Sequence, residues 1–174
     1  YAGDIWTAPV EGGLARRVTA HPGVELFPKF SPDGKWIAFT GQYEGDEQIY
    51  VVPVAGGEPR QLTFYPALGP LPQRWGFDNQ VYGWTPDGKS VMFSSNRNSS
   101  SNYTRLFTIP VEGGGLPTEI PLPMANRGWM SPDGQSIAYE PLTQWQGDWK
   151  HYHGGQTQPI WIAKLSDSSI EKVP

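Results

Sequence analysis

Short apolar runs bounded by Gly, Pro, Asp and Ser recur along the whole chain, and three of them follow the same tripeptide, Pro-Asp-Gly. These three runs are Trp36–Phe39, Ser90–Phe93 and Ser136–Tyr139. Asp-Gly tolerates the positive φ of a tight hairpin, so each tripeptide predicts a turn that leads into a strand. No segment keeps helical periodicity over three turns. The pattern therefore predicts an all-β chain of short strands and tight turns.

A second apolar element occurs four times, at Ile5–Val10, Ile49–Val54, Leu106–Val111 and Ile160–Leu165. Gly-Gly follows the first three copies, and a further short strand follows all four. Together with the Pro-Asp-Gly element, each unit contains four strands joined by a tight turn, a loop and a second tight turn. Four antiparallel strands in a unit of about 45 residues are typical of a β-propeller blade.

The units divide the chain into a half blade at residues 1–20 and three blades at residues 24–65, 79–122 and 125–174. The predicted fold class is all-β, an incomplete β-propeller of about three and a half four-stranded antiparallel blades. Such an arrangement cannot close into a ring, so we expect uncovered sheet faces at both ends. The last open face is expected to include some of Ile137, Tyr139, Trp161 and Ile162. Because several hundred Å2 of wet apolar surface forfeits about 5–10 kcal/mol, we expect a homo-oligomer that buries these ends.

The first strand of each blade is expected to lie nearest the propeller axis, where space is tight. Gly83 and Gly128 are predicted to lie at or beside this crowding, and Lys29 and Arg127 to face the central channel. The tight turns fall on one face of the propeller and the longer loops on the other.

The longer loops span residues 42–47, 65–79, 96–103 and 142–158. Surface loops of varying length are where propellers usually place function. The longest contains Trp145, Trp149, His151 and His153, a mixture suited to contact with a peptide or another domain. With Lys29 and Arg127, these four residues are the predicted peptide or partner contacts.

Composition narrows the function classes. The net charge of −4 and pI near 5.3 offer no basic face for nucleic acid. The absence of Cys excludes disulfides and thiolate metal sites but leaves the compartment open. No run of 18 apolar residues predicts a membrane span. We expect a soluble protein, and its compartment stays unknown at this point.

Three patterns could indicate a binding or catalytic site, but each lacks the structural context that such a site requires. Residues 83–90 match the phosphate-binding pattern GxxxxGK[ST], yet Ser90 begins a predicted strand rather than a helix, so the segment is interpreted as a hairpin turn. His151 and His153 with Asp148 could ligate a metal, but no third fixed ligand is evident, and an interface loop is favoured. No Ser–His–acid set can be assembled. We expect no catalytic, cofactor or metal residues in this chain.

Several segments resemble the tricorn proteases. They include residues 3–13, 27–41, 83–88, 94–97 and 149–156, so the resemblance runs nearly end to end. Members of this family carry an N-terminal six-bladed propeller, a seven-bladed propeller, a PDZ domain and catalytic domains with a serine nucleophile. The resemblance places this chain in the six-bladed propeller and maps none of the family's catalytic residues onto it. The bare Pro-Asp-Gly repeat is also shared with the Tol-system propeller and with prolyl-oligopeptidase relatives.

The resemblance implies a non-catalytic propeller segment of a tricorn-like serine peptidase, which contributes to peptide gating or channelling, or to assembly. The expected partners are a second copy of the chain, the remaining domains of the parent, and peptides. One alternative is an interaction scaffold of the Tol-system kind. Another is an excised or engineered half-propeller that self-assembles. The parent reading frame would separate the tricorn-like peptidase from the Tol-system scaffold. The resemblance also implies a prokaryotic protein of the cytoplasm or the periplasm.

Overall fold

The computed structural model describes residues 3–67, 78–99, 103–113, 115–141 and 159–173. These residues form fourteen β-strands in four antiparallel sheets, and no helix occurs among them. Each Pro-Asp-Gly element and the Gly-Gly elements at residues 12–13 and 56–57 stand at turns between two antiparallel strands, because their glycines adopt the positive φ that other residues resist.

The first sheet has two strands, β1 (Trp6–Thr7) and β2 (Arg16–Arg17). The second sheet contains, in order, β3 (Glu25–Phe30), β4 (Trp36–Gly41), β5 (Gln48–Pro53) and β6 (Arg60–Gln61). The third sheet contains β7 (Gln80–Trp84), β8 (Ser90–Ser95), β9 (Arg105–Pro110) and β10 (Thr118–Glu119). The fourth contains β11 (Arg127–Met130), β12 (Ser136–Glu140), β13 (Trp161–Lys164) and β14 (Ile170–Lys172).

The predicted fold class is confirmed. Each four-stranded sheet is a meander in which consecutive strands pair, as in a propeller blade, and β1 with β2 forms a half blade. The sheets do not close into a ring. Across the described chain, no helix is long and apolar enough to cross a membrane.

The three Pro-Asp-Gly turns share one hydrogen-bond network. Asp87 Oδ1 accepts bonds from the Thr85 hydroxyl at 2.6 Å and from the Lys89 amide at 3.1 Å, while Thr85 Oγ1 accepts the Ser90 amide at 3.0 Å. The turns at Asp33 and Asp133 repeat these contacts, with Ser in place of Thr85. Gly34, Gly88 and Gly134 have φ near +70° (70°, 69° and 69°), as their sequence predicts.

Apolar clusters fill the interfaces between neighbouring sheets. The first–second interface contains Ile5, Val18, Ile37, Phe39, Tyr50 and Val52. The second–third interface contains Ala38, Ile49, Val51, Leu62, Val81, Trp84, Val91, Phe93, Phe107, Ile109 and Val111. The third–fourth interface contains Tyr82, Met92, Leu106, Ile120, Leu122, Ala125, Ile137, Tyr139 and Ala163. Alternate residues of β4, β5 and β8 enter different interfaces, so these strands are apolar on both faces, as predicted.

The inner strands β3, β7 and β11 bring the sheets together along one edge, with β3 and β11 each in contact with β7. Both β3 and β7 are bulged, between Leu26 and Lys29 and between Val81 and Gly83, whereas β11 pairs regularly with β12. The bulge in β3 holds Phe27 at φ 55°, a conformation that a bulky residue resists.

The prediction for crowded glycines is right at one position and wrong at the other. A Cβ on Gly128 would lie 2.6 Å from Leu106 Cδ1 and 2.9 Å from Ile137 Cδ1. A Cβ on Gly83 would have no heavy-atom neighbour within 4 Å, because the bulge in β7 turns this position away from the packed sheets.

The prediction for the last open face is right for Ile162 and wrong for Ile137 and Tyr139. Ile137 and Tyr139 are buried, because they point back into the third–fourth interface. The residues one register position away, Trp129, Ala138 and Ile162, share the opposite face. Trp129 is 50% exposed and Ile162 is 41% exposed. The open face therefore exists and includes Ile162 of the predicted residues, while strand alternation turns Ile137 and Tyr139 away from it and adds Trp129.

Candidate functional site

Lys29 lies on the inner strand of the second sheet and its side chain is exposed, in keeping with a role as a surface contact. The structure adds a contact that sequence reasoning missed: the Lys29 carbonyl accepts the indole N–H of Trp84 at 3.0 Å. This bond joins the inner strands of two neighbouring sheets, so the backbone of Lys29 is fixed while its ammonium group faces solvent.

Arg127 lies on the inner strand of the fourth sheet, beside Glu140, with its Nε 4.0 Å from Glu140 Oε2. It also lies close to the hydroxyl of Tyr82, whose ring is 6.3 Å from that of Trp129. Burial raises the pKa of Tyr82 to about 12, while Arg127 opposes that rise. Lys29 and Arg127 therefore share the inner edge of the molecule, but the strand β7 separates the sheets to which they belong.

The other four predicted contacts, Trp145, Trp149, His151 and His153, lie outside the described residues, and so does Asp148 of the possible metal site. Within the ranges that the structure describes, no group of three or more His, Cys, Asp or Glu could hold a metal ion. The predicted contacts of the longest loop therefore remain predictions.

The segment that matches the phosphate-binding pattern is a hairpin turn, as interpreted from sequence. The strand β7 ends at Trp84, β8 begins at Ser90, and the Gly88 amide donates to the Thr85 carbonyl at 2.9 Å. Since no helix begins here, the segment lacks the helix N-terminus that a P-loop uses to hold phosphate.

A buried polar cluster secures the loop side of the second–third interface. Arg97 is only 7% exposed and donates to Asn79 Oδ1 at 3.0 Å. Its guanidinium lies 4.7 Å from the ring centre of Tyr65 and 5.2 Å from that of Phe93. Burial lowers the pKa of Arg97, and the charge of Asp78 opposes this shift. In the sequence, segment 94–97 belongs to the family resemblance and overlaps a predicted loop, but nothing local in it indicates burial.

On the tight-turn side, an arginine of one sheet bonds to the Gly-Gly turn of the next. Arg16 Nη1 donates to the Ala55 carbonyl at 2.9 Å, with a second bond from Arg16 to Val54. Arg60 donates to the Val111 carbonyl in the same way. Arg16 and Arg60 occupy equivalent positions in the repeat, whereas the next unit has Thr118 there. Aligning the repeats would have revealed these arginines as a pair.

Arg60 also shapes a groove over the second–third interface. The groove has a volume of about 920 Å3 and lies between the tight turns of the two sheets. Arg60 lies 6.0 Å from the ring centre of Trp36, which is half-buried in the groove. The corresponding groove over the third–fourth interface measures about 490 Å3 and has Ser90 where the larger groove has Trp36.

Comparison with known proteins agrees with this architecture. The family model of the tricorn protease N-terminal β-propeller domain matches residues 1–174. This chain belongs to that family. Tricorn protease homolog 1 of Streptomyces coelicolor is 30% identical over 172 residues, which cover 98% of this chain and 15% of the relative. The chain thus spans about 15% of the length of that relative.

Two solved structures share the fold. A crystal structure of the tricorn protease matches with a TM-score of 0.76 and 23% identity over 99% of this chain and 16% of the other. TolB from Acinetobacter baumannii matches with a TM-score of 0.71 and 22% identity over 97% of this chain and 37% of the other. At these identities, both likenesses establish the propeller fold alone.

Proposed function

We propose that this chain is a non-catalytic propeller segment of a tricorn-like serine peptidase and that it helps to gate or channel peptides. The observation that carries the proposal is the match of the tricorn N-terminal propeller model to the entire chain. The position of Lys29 and Arg127 on inner strands supports it, since both cationic side chains belong to the edge where the sheets converge. Peptide carboxylates and carbonyls are natural partners for such cations.

The Tol-system alternative rests on a likeness of fold. It would make the chain an interaction scaffold with no peptidase partner. The family model favours the tricorn-like assignment, because it matches the whole sequence rather than the Pro-Asp-Gly repeat that the two groups share.

Peptide gating can be tested in a peptidase that carries this propeller segment. Lys29→Glu and Arg127→Glu should alter kcat/KM for a long peptide and leave kcat/KM for a short chromogenic substrate unchanged, because only the long substrate has to pass the inner strands. Lys35→Glu, a charge reversal on an exposed turn, is the matched control. Equal effects on both substrates, or no effect on either, would contradict a gating role.

Assembly is the second part of the proposal. The open face of the fourth sheet exposes Trp129, Ile160 and Ile162 by 50%, 49% and 41%, and Trp6 at the other end is 42% exposed. The described sheets are joined by apolar face-to-face packing, so a second copy of the chain is the occupant proposed here for these faces. In solution at micromolar concentration, the chain should scatter light as a dimer or larger particle.

Ile162→Lys should reduce that association, because it places a charge on the open face. Leu14→Lys is the control, since Leu14 is 94% exposed on a turn away from that face. A strictly monomeric particle that melts cooperatively would contradict the assembly proposal without affecting the peptidase assignment.

A further inference from the structure

The groove over the second–third interface, here called the turn-face groove, combines apolar and charged surfaces. Its half-buried apolar residues include Trp36, Pro53 and Pro86. Its exposed charged residues are Asp33, Glu58, Arg60, Asp87, Lys89 and Glu112. A volume of about 920 Å3 lies within the range of known ligand sites. Aromatic rings flanked by prolines offer flat contacts to extended peptides.

The turn-face groove carries more negative than positive charges. Four carboxylates and two cations line it. Arg60 is engaged with the Val111 carbonyl and the Trp36 ring, and the charge of Lys89 acts on Asp87, so two carboxylate charges remain in surplus. The Nζ of Lys35, which lies outside the groove, is 3.7 Å from Asp33 Oδ2 and offsets part of the negative charge of Asp33. Hydrogen bonds within the turns also lower the pKa of Asp33 and Asp87, so both carboxylates stay ionised at neutral pH.

The smaller groove over the third–fourth interface lacks these features. Among its lining residues, Asp87 and Asp133 supply the carboxylates, and neither a tryptophan nor an arginine is present. The two grooves arise from the same repeat, so the extra ring and the extra carboxylates of the turn-face groove are not required to build a hairpin turn. The tryptophan ring and the additional carboxylates therefore distinguish the turn-face groove from the smaller groove.

We propose that the turn-face groove binds an extended cationic peptide segment, with a Lys or Arg side chain held among Glu58, Asp87 and Glu112 and the peptide backbone running over Trp36. Charge complementarity selects this ligand, because the surplus of carboxylates repels acidic peptides and nucleic acid. The exposed charged side chains suit an extended chain that crosses the groove rather than an enclosed small molecule. The inference goes beyond the proposed gating role, since none of these residues lies on an inner strand.

The test is fluorescence anisotropy of a labelled peptide made of three Gly-Arg-Pro repeats, titrated with the full chain. A peptide of three Gly-Glu-Pro repeats serves as the charge-reversed probe. Glu112→Lys should weaken binding of the cationic peptide at least about tenfold, because it removes one carboxylate and adds a repelling charge. Glu11→Lys is the matched control, since Glu11 occupies the equivalent turn of the first sheet, outside the groove, and changes the net charge equally.

Selective loss of binding in Glu112→Lys supports the proposal. Equal weakening by Glu11→Lys would show general attraction to an acidic protein and would overturn it. Equal binding of the Gly-Glu-Pro peptide, or no binding of the cationic peptide, would also overturn it. Groove binding is measured by anisotropy and gating by kcat/KM for a long peptide, so failure of the groove and failure of the gating role are distinguishable. Thermal melts of both Glu→Lys variants should match that of the unmodified chain, because both side chains are exposed.

Discussion

The second–third and third–fourth interfaces join the same repeating unit, yet they are held differently. Both contain a continuous apolar cluster. The second–third interface adds polar bonds at its inner edge, on its loop side and on its tight-turn side, through Trp84, Asn79 and Arg60. The third–fourth interface has a side-chain bond between Thr104 and Asn126 at 3.1 Å and a contact between Arg127 and the Tyr82 hydroxyl. Repetition of sequence thus fixes the packing of blades, while individual substitutions decide how firmly each pair is joined.

Adjacent residues of β8 allow the most direct test of this difference. Phe93 faces the second–third interface and Met92 the third–fourth interface, and both are buried. Phe93→Ala should cost about 3–5 kcal/mol and Met92→Ala about 2–3 kcal/mol of unfolding free energy. Phe93 should cost more because its ring also packs on Phe107 and Arg97. Urea denaturation followed by circular dichroism measures both values, and an equal or larger cost for Met92→Ala would show that the two interfaces are equally tight.

The third–fourth interface depends instead on a close approach at Gly128. A Cβ at this position would meet Leu106 and Ile137 inside contact distance, so Gly128→Ala should destabilise the chain by about 1–3 kcal/mol through overpacking. Gly83→Ala is the matched change, because a Cβ there meets open space and its φ is not positive. It should be neutral or stabilise by up to about 1 kcal/mol, since alanine reduces the freedom of the unfolded chain. Differential scanning calorimetry should therefore show shifts in Tm that differ for the two variants, and a similar fall in both would contradict the inner-strand geometry.

The sequence predicted the hairpins and the order of the strands, but not the bulges of the inner strands. The Asp-Gly pairs that end at Gly34 and Gly88 favour the positive φ of a tight turn, so these turns and the strands beside them could be predicted from local sequence. The bulges did not follow, because Phe27 at positive φ is locally unfavourable and is held by the packing around it. The sheet face on which Ile137 lies could not be predicted either, because an apolar run does not show which neighbouring sheet packs on each of its two faces.

The candidate site was predictable to a similar extent. Lys29 and Arg127 were placed on inner strands because the repeat fixes strand order. The turn-face groove was missed, because Trp36, Glu58 and Glu112 lie in different turns and meet only when two sheets pack. The bond from Arg60 to Val111 likewise spans two repeats, although the equivalence of Arg16 and Arg60 was visible in the sequence.

The bond that Arg60 makes between two sheets can be tested by replacing Arg60 with Thr, the residue that the next unit has at the equivalent position. Arg60→Thr should cost about 1 kcal/mol, because it removes a partly buried charge-assisted hydrogen bond to the Val111 carbonyl and the contact with Trp36. Arg16→Thr is the control at the first–second interface and should cost a similar amount, since Arg16 makes the equivalent bonds. Chemical denaturation of both variants supplies the comparison. A cost within error of zero for both would mean that these arginine bonds contribute nothing measurable to the joining of the sheets.

The smallest expected effect concerns a feature that the two interfaces share, the carboxylate of each Pro-Asp-Gly turn. Hydrogen bonds from Thr85 and Ser131 hold the pKa of Asp87 and Asp133 below its usual value. A lowered carboxyl pKa stabilises the folded state above the pKa of the unfolded chain, and this contribution is lost as pH falls through the folded value, below a pH of about 4. Asp87→Asn and Asp133→Asn should each make the acid side of the stability profile less steep, and by the same small amount, because both carboxylates are exposed and make the same bonds. Unfolding free energies of the two variants and of the unmodified chain, measured between pH 2 and 7, test this expectation. A clear difference between the two variants would show that the turns, like the side-chain bonds, differ from one interface to the next.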